Sequence, residues 1–267
     1  MIRKMFFLAA FMIVISRPVG ADDEPPVQAI SIPDVVADTF TLPSDIHVTD
    51  EQLQLLAIDL PKHAVTVLSL GGHHEIGDDG IKALESQVQL RELDLHSTGI
   101  RDEGVSHIAG LRGLISLDLS DTLLTDDGLV QLKGLKKLQQ LNLQQTAIDD
   151  AGLASLEGLT ELRELNLNGT SLTGAGLVHL KGLIHLQTLD LGNTKLVGLC
   201  LIPVRSLVNL ESLDINSTSI TDQGLIVLRG LPNLQMLNVS CTDVTDAGLA
   251  PFQSHQGLQI LNVCPER

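Results

Sequence analysis

The stretch GGHHEIGDDG, residues 71–80, sets His73, His74 and Glu75 side by side, with Asp78 and Asp79 close behind. Imidazole and carboxylate together suit several divalent metal ions, and His96 adds a further imidazole downstream. Asp94 with Asp118, and Asp190 with Asp214, form carboxylate pairs at a common spacing of 24. Paired carboxylates do acid–base work where a pocket keeps water away from them. Three cysteines, Cys200, Cys241 and Cys264, allow one disulfide. No Ser–His–Asp, Cys–His or phosphate-loop constellation accompanies these groups, and His73 and His74 lack the HExxH spacing that fixes two ligands on one helix face. Whether they are sites or parts of a pattern depends on whether their positions recur.

They recur. From Leu90 the chain repeats every 24 residues: LRELDLHSTGIRDEGVSHIAGLRG is followed by LISLDLSDTLLTDDGLVQLKGLKK from Leu114. Further copies start at Leu138, Leu162, Leu186, Leu210 and Leu234, and a partial one at Leu258. The shared pattern is LxxLxLxxTx(I/L)TDxGLxxLxGLxx. Within a unit, Leu93 and Leu95 alternate with Glu92, Asp94 and His96, the period-two signature of a strand with one buried face. Asp102, Gly104, Val105 and Ile108 follow at helical spacing. The Asp of this slot (Asp102, Asp126, Asp150, Asp222, Asp246) is expected to cap its own helix by accepting backbone N–H bonds. Thr98, Thr122, Thr146, Thr170, Thr194, Thr218 and Thr242 share one slot, where a hydroxyl satisfies backbone groups in the turn leaving the strand. A unit this small cannot bury its apolar face alone, so units must stack. Only Phe40 and Phe252 follow residue 21 and there is no Trp or Tyr, so Leu, Ile and Val must fill the core.

This pattern resembles the leucine-rich repeat family over almost all of the chain from about residue 48. Its TDxGL segment is most similar to the cysteine-containing subclass and to bacterial exported leucine-rich-repeat proteins. The resemblance implies an α/β fold: a right-handed leucine-rich-repeat solenoid bent into a horseshoe arc. Its parallel β-sheet lies on the concave side and its short helices on the convex side. The general hand of strand–helix–strand crossovers agrees. The repeat domain is expected over 48–267, with a partial amino-terminal unit, eight full units from 65 and a partial unit from 258. Residues 22–47, acidic and containing Pro25, Pro26, Pro33 and Pro43, read as a tail or linker.

The pattern absorbs most of the opening motif. The segment from Val65 is itself a unit, with one residue inserted inside GGHHE. Asp78 is then the ordinary cap residue, and His73, His74 and Glu75 are solvated side chains on a lengthened turn near His96. No metal and no cofactor is assigned; these four side chains are only the best-placed candidates. Cys241 and Cys264 fall one slot apart in consecutive units, where strands lie about 4.8 Å apart. A disulfide there would staple the carboxy-terminal end; two reduced thiols are the alternative, and Cys200 stays unpaired either way. The unit from Leu186 departs furthest: KLVGLCLIPVRSL puts Gly198 at the cap slot, Cys200 at the Gly slot and Pro203 in the helical segment, which proline shortens. Gly174 replaces the cap Asp one unit earlier, leaving Thr173 as a substitute cap.

The concave strand positions are the family's usual binding surface. Down the middle of the sheet run Ser69, Asp94, Asp118, Asn142, Asn166, Asp190, Asp214, Asn238 and Asn262. Flanking slots add Glu92, Asp121, Glu164 and Glu211 against Arg91 and Arg163. Carboxylates that follow a repeat along an open sheet make no water-excluding pocket, so no enzyme is expected. The expected function is a non-catalytic module that binds a basic protein or peptide. The alternative is a structural or cell-surface spacer without a specific ligand, its polar face keeping a solenoid soluble. Similar repeats recognise substrates in ubiquitin-ligase adaptors, a role that does not carry over without an adaptor box.

The formal net charge of −16 repels phosphate backbones, so nucleic acid is not an expected partner. At the amino terminus, Arg3 and Lys4, an apolar run over 5–15 and Val19-Gly20-Ala21 follow one another. That order is a secretory signal peptide, residues 1–21, cleaved near Ala21. The run is shorter than the roughly 20 residues of a bilayer span, and an uncleaved anchor is the alternative. Cleavage would remove Arg3, Lys4 and Arg17 and no acid, taking the charge from −16 to −19. The expected location is the periplasm, the cell surface or the extracellular space.

Overall fold

The computed structural model describes residues 38–42, 48–58, 65–252 and 257–261, and the backbone of short strands at 11–13 and 30–32. Those two, β1 (Phe11–Ile13) and β2 (Ile30–Ile32), pair antiparallel as a small sheet of their own. The rest of the expected leader and most of the expected tail lie outside the described residues. Ten further strands form one parallel sheet in chain order: β3 (Thr39–Thr41), β4 (Val67–Ser69), β5 (Glu92–Asp94), β6 (Ser116–Asp118), β7 (Gln140–Asn142), β8 (Glu164–Asn166), β9 (Thr188–Asp190), β10 (Ser212–Asp214), β11 (Met236–Asn238) and β12 (Gln259–Leu261). From β5 to β11 the register advances by one unit per strand, which lines up Leu93, Leu117, Leu141, Leu165, Leu189, Leu213 and Leu237. All are buried, and each such side chain contributes roughly 2 kcal/mol of burial. Phe40 and Phe252 are buried at opposite ends of this aliphatic core.

Both ends of the sheet differ from the sequence expectation. Phe40 stands opposite Leu68, and Phe40 and Leu42 are buried. The stack therefore begins inside the segment read as tail, not at residue 48. A ring in the leucine slot and a non-standard spacing to the next strand hide this unit from the period. At the other end β12 places Leu261, not Asn262, opposite Asn238. Among the described residues this last strand pairs on one side only, and Asn262 lies outside them.

Opposite the sheet run short helices: α1 (Asp50–Ala57), α2 (Asp78–Ile81), α3 (Asp102–Ile108), α4 (Asp126–Leu129), α5 (Asp222–Leu225) and α6 (Asp246–Leu249). The units from Leu138, Leu162 and Leu186 carry only 3-10 turns, at Gly152–Leu156, Ala175–Leu180 and Ile202–Ser206. Pro203 sits at the start of the last of these.

The recurrent Asp does not cap its own helix as expected. It is the first residue of α2 to α6, Asp150 instead lies two residues ahead of a 3-10 turn, and the carboxylates of Asp78, Asp102, Asp126, Asp150 and Asp222 bond to the next unit. Asp78 Oδ1 accepts the backbone N–H of Arg101 at 2.7 Å and of Gly104 at 2.9 Å. Asp102 accepts the N–H of Thr125 at 2.8 Å and its hydroxyl at 2.7 Å. Asp150 takes the N–H groups of Thr173, Gly174 and Gly176, and Asp222 that of Thr245 at 2.7 Å. Helix starts leave orphan N–H groups, and stacking sets each unit's orphans beside the previous unit's carboxylate.

The same contact accounts for the recurrent Gly. A Cβ on Gly152 would fall 2.2 Å from Asp126 Oδ1, and one on Gly248 2.1 Å from Asp222 Oδ1. The two slots change together at one of the two places where the Asp is missing; at the other, Gly198 is followed by Gly224, where a Cβ would fall 2.2 Å from the Gly198 carbonyl oxygen. Gly174 holds the Asp slot, Cys200 holds the next Gly slot, and the Cys200 Cβ would lie 2.3 Å from a Cβ on Gly174. Thr173, expected as a substitute cap, instead donates its hydroxyl to Asp150.

Candidate concave binding face

Leu93 and its equivalents turn inward, so the strand residues on either side of each leucine face out, joined by the residue two positions after the strand. Three rows result. The first holds Glu92, Ser116, Gln140, Glu164, Thr188, Ser212 and Met236; the second holds Ser69, Asp94, Asp118, Asn142, Asn166, Asp190, Asp214 and Asn238. The third holds His96, Ser120, Gln144, Asn168, Gly192, Asn216 and Ser240. The expected middle row is thus brought together as read, up to Asn238. The third row, of which the sequence analysis singles out His96 alone, lies one more step along the period-two alternation.

The middle row also builds the backbone. Each of its side-chain oxygens from Asp94 on accepts the backbone N–H two residues later: His96 to Asp94 at 3.1 Å, Ser120 to Asp118 at 2.8 Å, Gln144 to Asn142 at 3.1 Å, Asn168 to Asn166 at 2.9 Å, Gly192 to Asp190 at 2.8 Å, Asn216 to Asp214 at 2.8 Å and Ser240 to Asn238 at 3.0 Å. These are Asx turns, which Asp and Asn make equally well through the same oxygen. They lead into a left-handed residue, Ser97 at φ 52° and its equivalents Asp121, Gln145, Asn193, Ser217 and Cys241. Asp121 therefore lies in the turn beyond β6, where it accepts the Ser97 hydroxyl at 2.7 Å. The buried threonine ladder follows, each hydroxyl donating to a carbonyl three residues back.

His73 occupies the threonine slot of its unit and is 5% exposed, which corrects its reading as a solvated side chain. His74 and Glu75 are exposed. His96 lies over Gly71, with its Nδ1 2.7 Å from Asp94 Oδ1. The four metal candidates do not converge, and among the described residues no group of three or more His, Cys, Asp or Glu is placed to hold a metal ion. Cys241 is disulfide-bonded and Cys200 is free; Cys264, the proposed partner, lies outside the described residues. Burial, aided by the charge of Asp150, pushes the Cys200 thiol up, which makes it a poor nucleophile.

Asp94 stands directly opposite Asp118, and Asp190 opposite Asp214. Donors interleave with these like charges: the Ser69 hydroxyl reaches Asp94 at 2.7 Å, Asn142 reaches Asp118 at 2.9 Å, Asn168 reaches Asp190 at 3.1 Å and Asn238 reaches Asp214 at 2.7 Å. The balance differs by position. At Asp94 burial raises the pKa, but Ser69 and the His96 backbone and ring outweigh it, so the carboxyl lies below its ordinary value. At Asp190 burial prevails over the Gly192 N–H and the Asn168 amide, and the charge of Asp214 adds to it, so that carboxyl lies above.

Opposite signs of stability follow for two identical substitutions. A lowered folded pKa contributes stability above the unfolded value and loses it as pH falls through the folded one. A raised folded pKa contributes stability below the unfolded value and loses it as pH rises through the folded one. At pH 7, Asp94→Asn should therefore lower Tm and Asp190→Asn raise it, each by about 1–3 °C after allowance for solvent screening. Thermal melts at pH 7 and pH 3 check this, since both differences should shrink in acid. A shift of the same sign for both variants at pH 7 would refute the assignment.

Across the three rows from β4 to β11 no Lys or Arg is present, whereas Glu92, Asp94, Asp118, Glu164, Asp190 and Asp214 are. Arg91 and Arg163 precede their strands, as does Glu211. The face is open, acidic and rich in amides.

Two models of the leucine-rich repeat match the sequence, one at residues 88–148 and 184–244 and the other at 63–84, together more than half of the chain. Among solved structures, an internalin (inlF) from Listeria monocytogenes superposes with a TM-score of 0.69 at 20% identity, over 84% of this chain and 60% of that one. An internalin C2 (inlC2) from the same species superposes with a TM-score of 0.64 at 26% identity, over 81% of this chain and 84% of that one. This chain thus spans 60% of the length of the first internalin. No curated protein sequence matches.

Proposed function

Because the chain belongs to the leucine-rich repeat family, whose domains mediate protein interactions, we propose that it is a non-catalytic, exported recognition module whose concave face binds a basic protein or peptide. The observation that carries this reading is the charge of that face: its three rows combine carboxylates with amide donors and acceptors and hold no Lys or Arg from β4 to β11. Such a surface attracts cationic partners quickly and loses them as salt rises. Export rests on the leader-like order of residues 1–21. Among the described residues no helix is long and apolar enough to cross a membrane.

A second reading, a spacer without a ligand, draws support from the Asx turns, which give the middle row a structural reason to be Asp or Asn. Capture from the envelope and secreted fractions of the source cells separates the two. Recognition predicts a basic protein retained at low salt and released at high salt. If nothing basic is retained at low salt, the spacer reading stands instead.

A further inference from the structure

We infer that the convex side of the units from Leu162, Leu186 and Leu210 is a second docking surface, which takes an acidic amphipathic segment of a partner protein. Three 3-10 turns lie side by side there, Ala175–Leu180, Ile202–Ser206 and Ile226–Gly230. Each presents a branched apolar side chain in the same slot, and Val178, Ile202 and Ile226 are 44%, 53% and 50% exposed. Three residues later each unit carries an exposed cation, Lys181, Arg205 or Arg229. In the preceding unit Ala154 and Glu157 hold these slots and end the run. A groove of about 630 Å³ between the second and third turns is lined by Ile202, Arg205, Ile226, Val227, Arg229 and Gly230.

The charge of this face opposes that of the chain. Across the three units the acids are Glu164, Asp190, Glu211 and Asp214, in or beside the concave strands, and Asp222, whose carboxylate is bonded to Thr245 of the next unit. Among the described residues no ion pair engages Lys181, Arg205 or Arg229. An apolar row beside a row of unbalanced cations is complemented by a chain segment with an apolar stripe and neighbouring carboxylates. A phosphate backbone would meet the cations but leave Val178, Ile202 and Ile226 in water. The inference does not depend on the concave reading, since the two surfaces lie on opposite sides and carry opposite charge.

The test is fluorescence anisotropy of the full chain with a labelled helical peptide built from Leu and Glu, and with a counterpart carrying Gln for Glu. The Glu peptide should bind, and the Gln peptide about tenfold more weakly. Arg205→Glu with Arg229→Glu, and separately Ile202→Asp, should each cost about tenfold or more, with unchanged thermal melts because all three positions are exposed. Equal binding of both peptides, no binding of the Glu peptide, or undiminished binding by both variants would overturn the proposal. So would sedimentation showing that the chain self-associates through this face and that Ile202→Asp abolishes it, because the occupant would then be a second copy.

Discussion

Gly152→Ala should lower the unfolding free energy by about 1–3 kcal/mol, where an ordinary glycine-to-alanine change in a helical turn raises it by up to about 1 kcal/mol. The cause is the inter-unit bond. Asp126 accepts the backbone N–H of Asp149 at 3.0 Å and that of Gly152, and its carboxylate occupies the space a Cβ would need. Asp126→Gly alone should cost about 1–2 kcal/mol through two lost charge-assisted bonds. In the double variant the steric conflict is gone, so the two losses should not add, and a double-mutant cycle should show a coupling of about 2 kcal/mol. The chain already contains the relieved arrangement, with Gly174 in the Asp slot and Cys200 in the Gly slot. Urea midpoints of the four proteins measure the cycle. Strict additivity would mean that the Asp and the Gly are not tied to one another.

Changing Asp94, Asp118, Asp190 and Asp214 together to Asn should weaken the cationic partner about a hundredfold, or roughly 2.7 kcal/mol, while leaving the fold intact. The fold survives because Asn142, Asn166 and Asn238 already make the same Asx turn with the same oxygen. The affinity falls because four charges leave a face with no Lys or Arg in its rows, and each half-exposed charge is worth somewhat under 1 kcal/mol to such a contact. The salt dependence of the residual binding should flatten as well. Titration calorimetry at two ionic strengths separates this result from a loss of folding, which would remove binding at both.

Much of this structure is legible in the sequence because its period is strict. The buried leucine line, the threonine ladder and the acidic middle row all follow from slot positions, whereas the helix shortening expected at Pro203 also occurs in the two preceding units, which have no proline there. What the period does not carry is direction. The Asp at 102 recurs every 24 residues whether it bonds two residues ahead or 23, and only the stacking of helix starts decides for the next unit. The insertion inside GGHHE was equally ambiguous. Leu70 and Ile76 bracket one extra residue, but only the fold shows that His73 keeps the buried threonine slot and that the turn lengthens at His74 and Glu75. Phe40 was missed because its strand stands at an irregular spacing and carries a ring where the other units carry Leu.

We place recognition on the concave face. Carbodiimide labelling of carboxylates, read by mass spectrometry with and without the captured partner, tests it most directly. Glu92 and Glu164 are exposed on the first concave row, whereas Asp127 and Glu157 are exposed on the helical side. The partner should shield Glu92 and Glu164 and leave Asp127 and Glu157 as reactive as before. Shielding of Asp127 and Glu157 with Glu92 and Glu164 still open would contradict it.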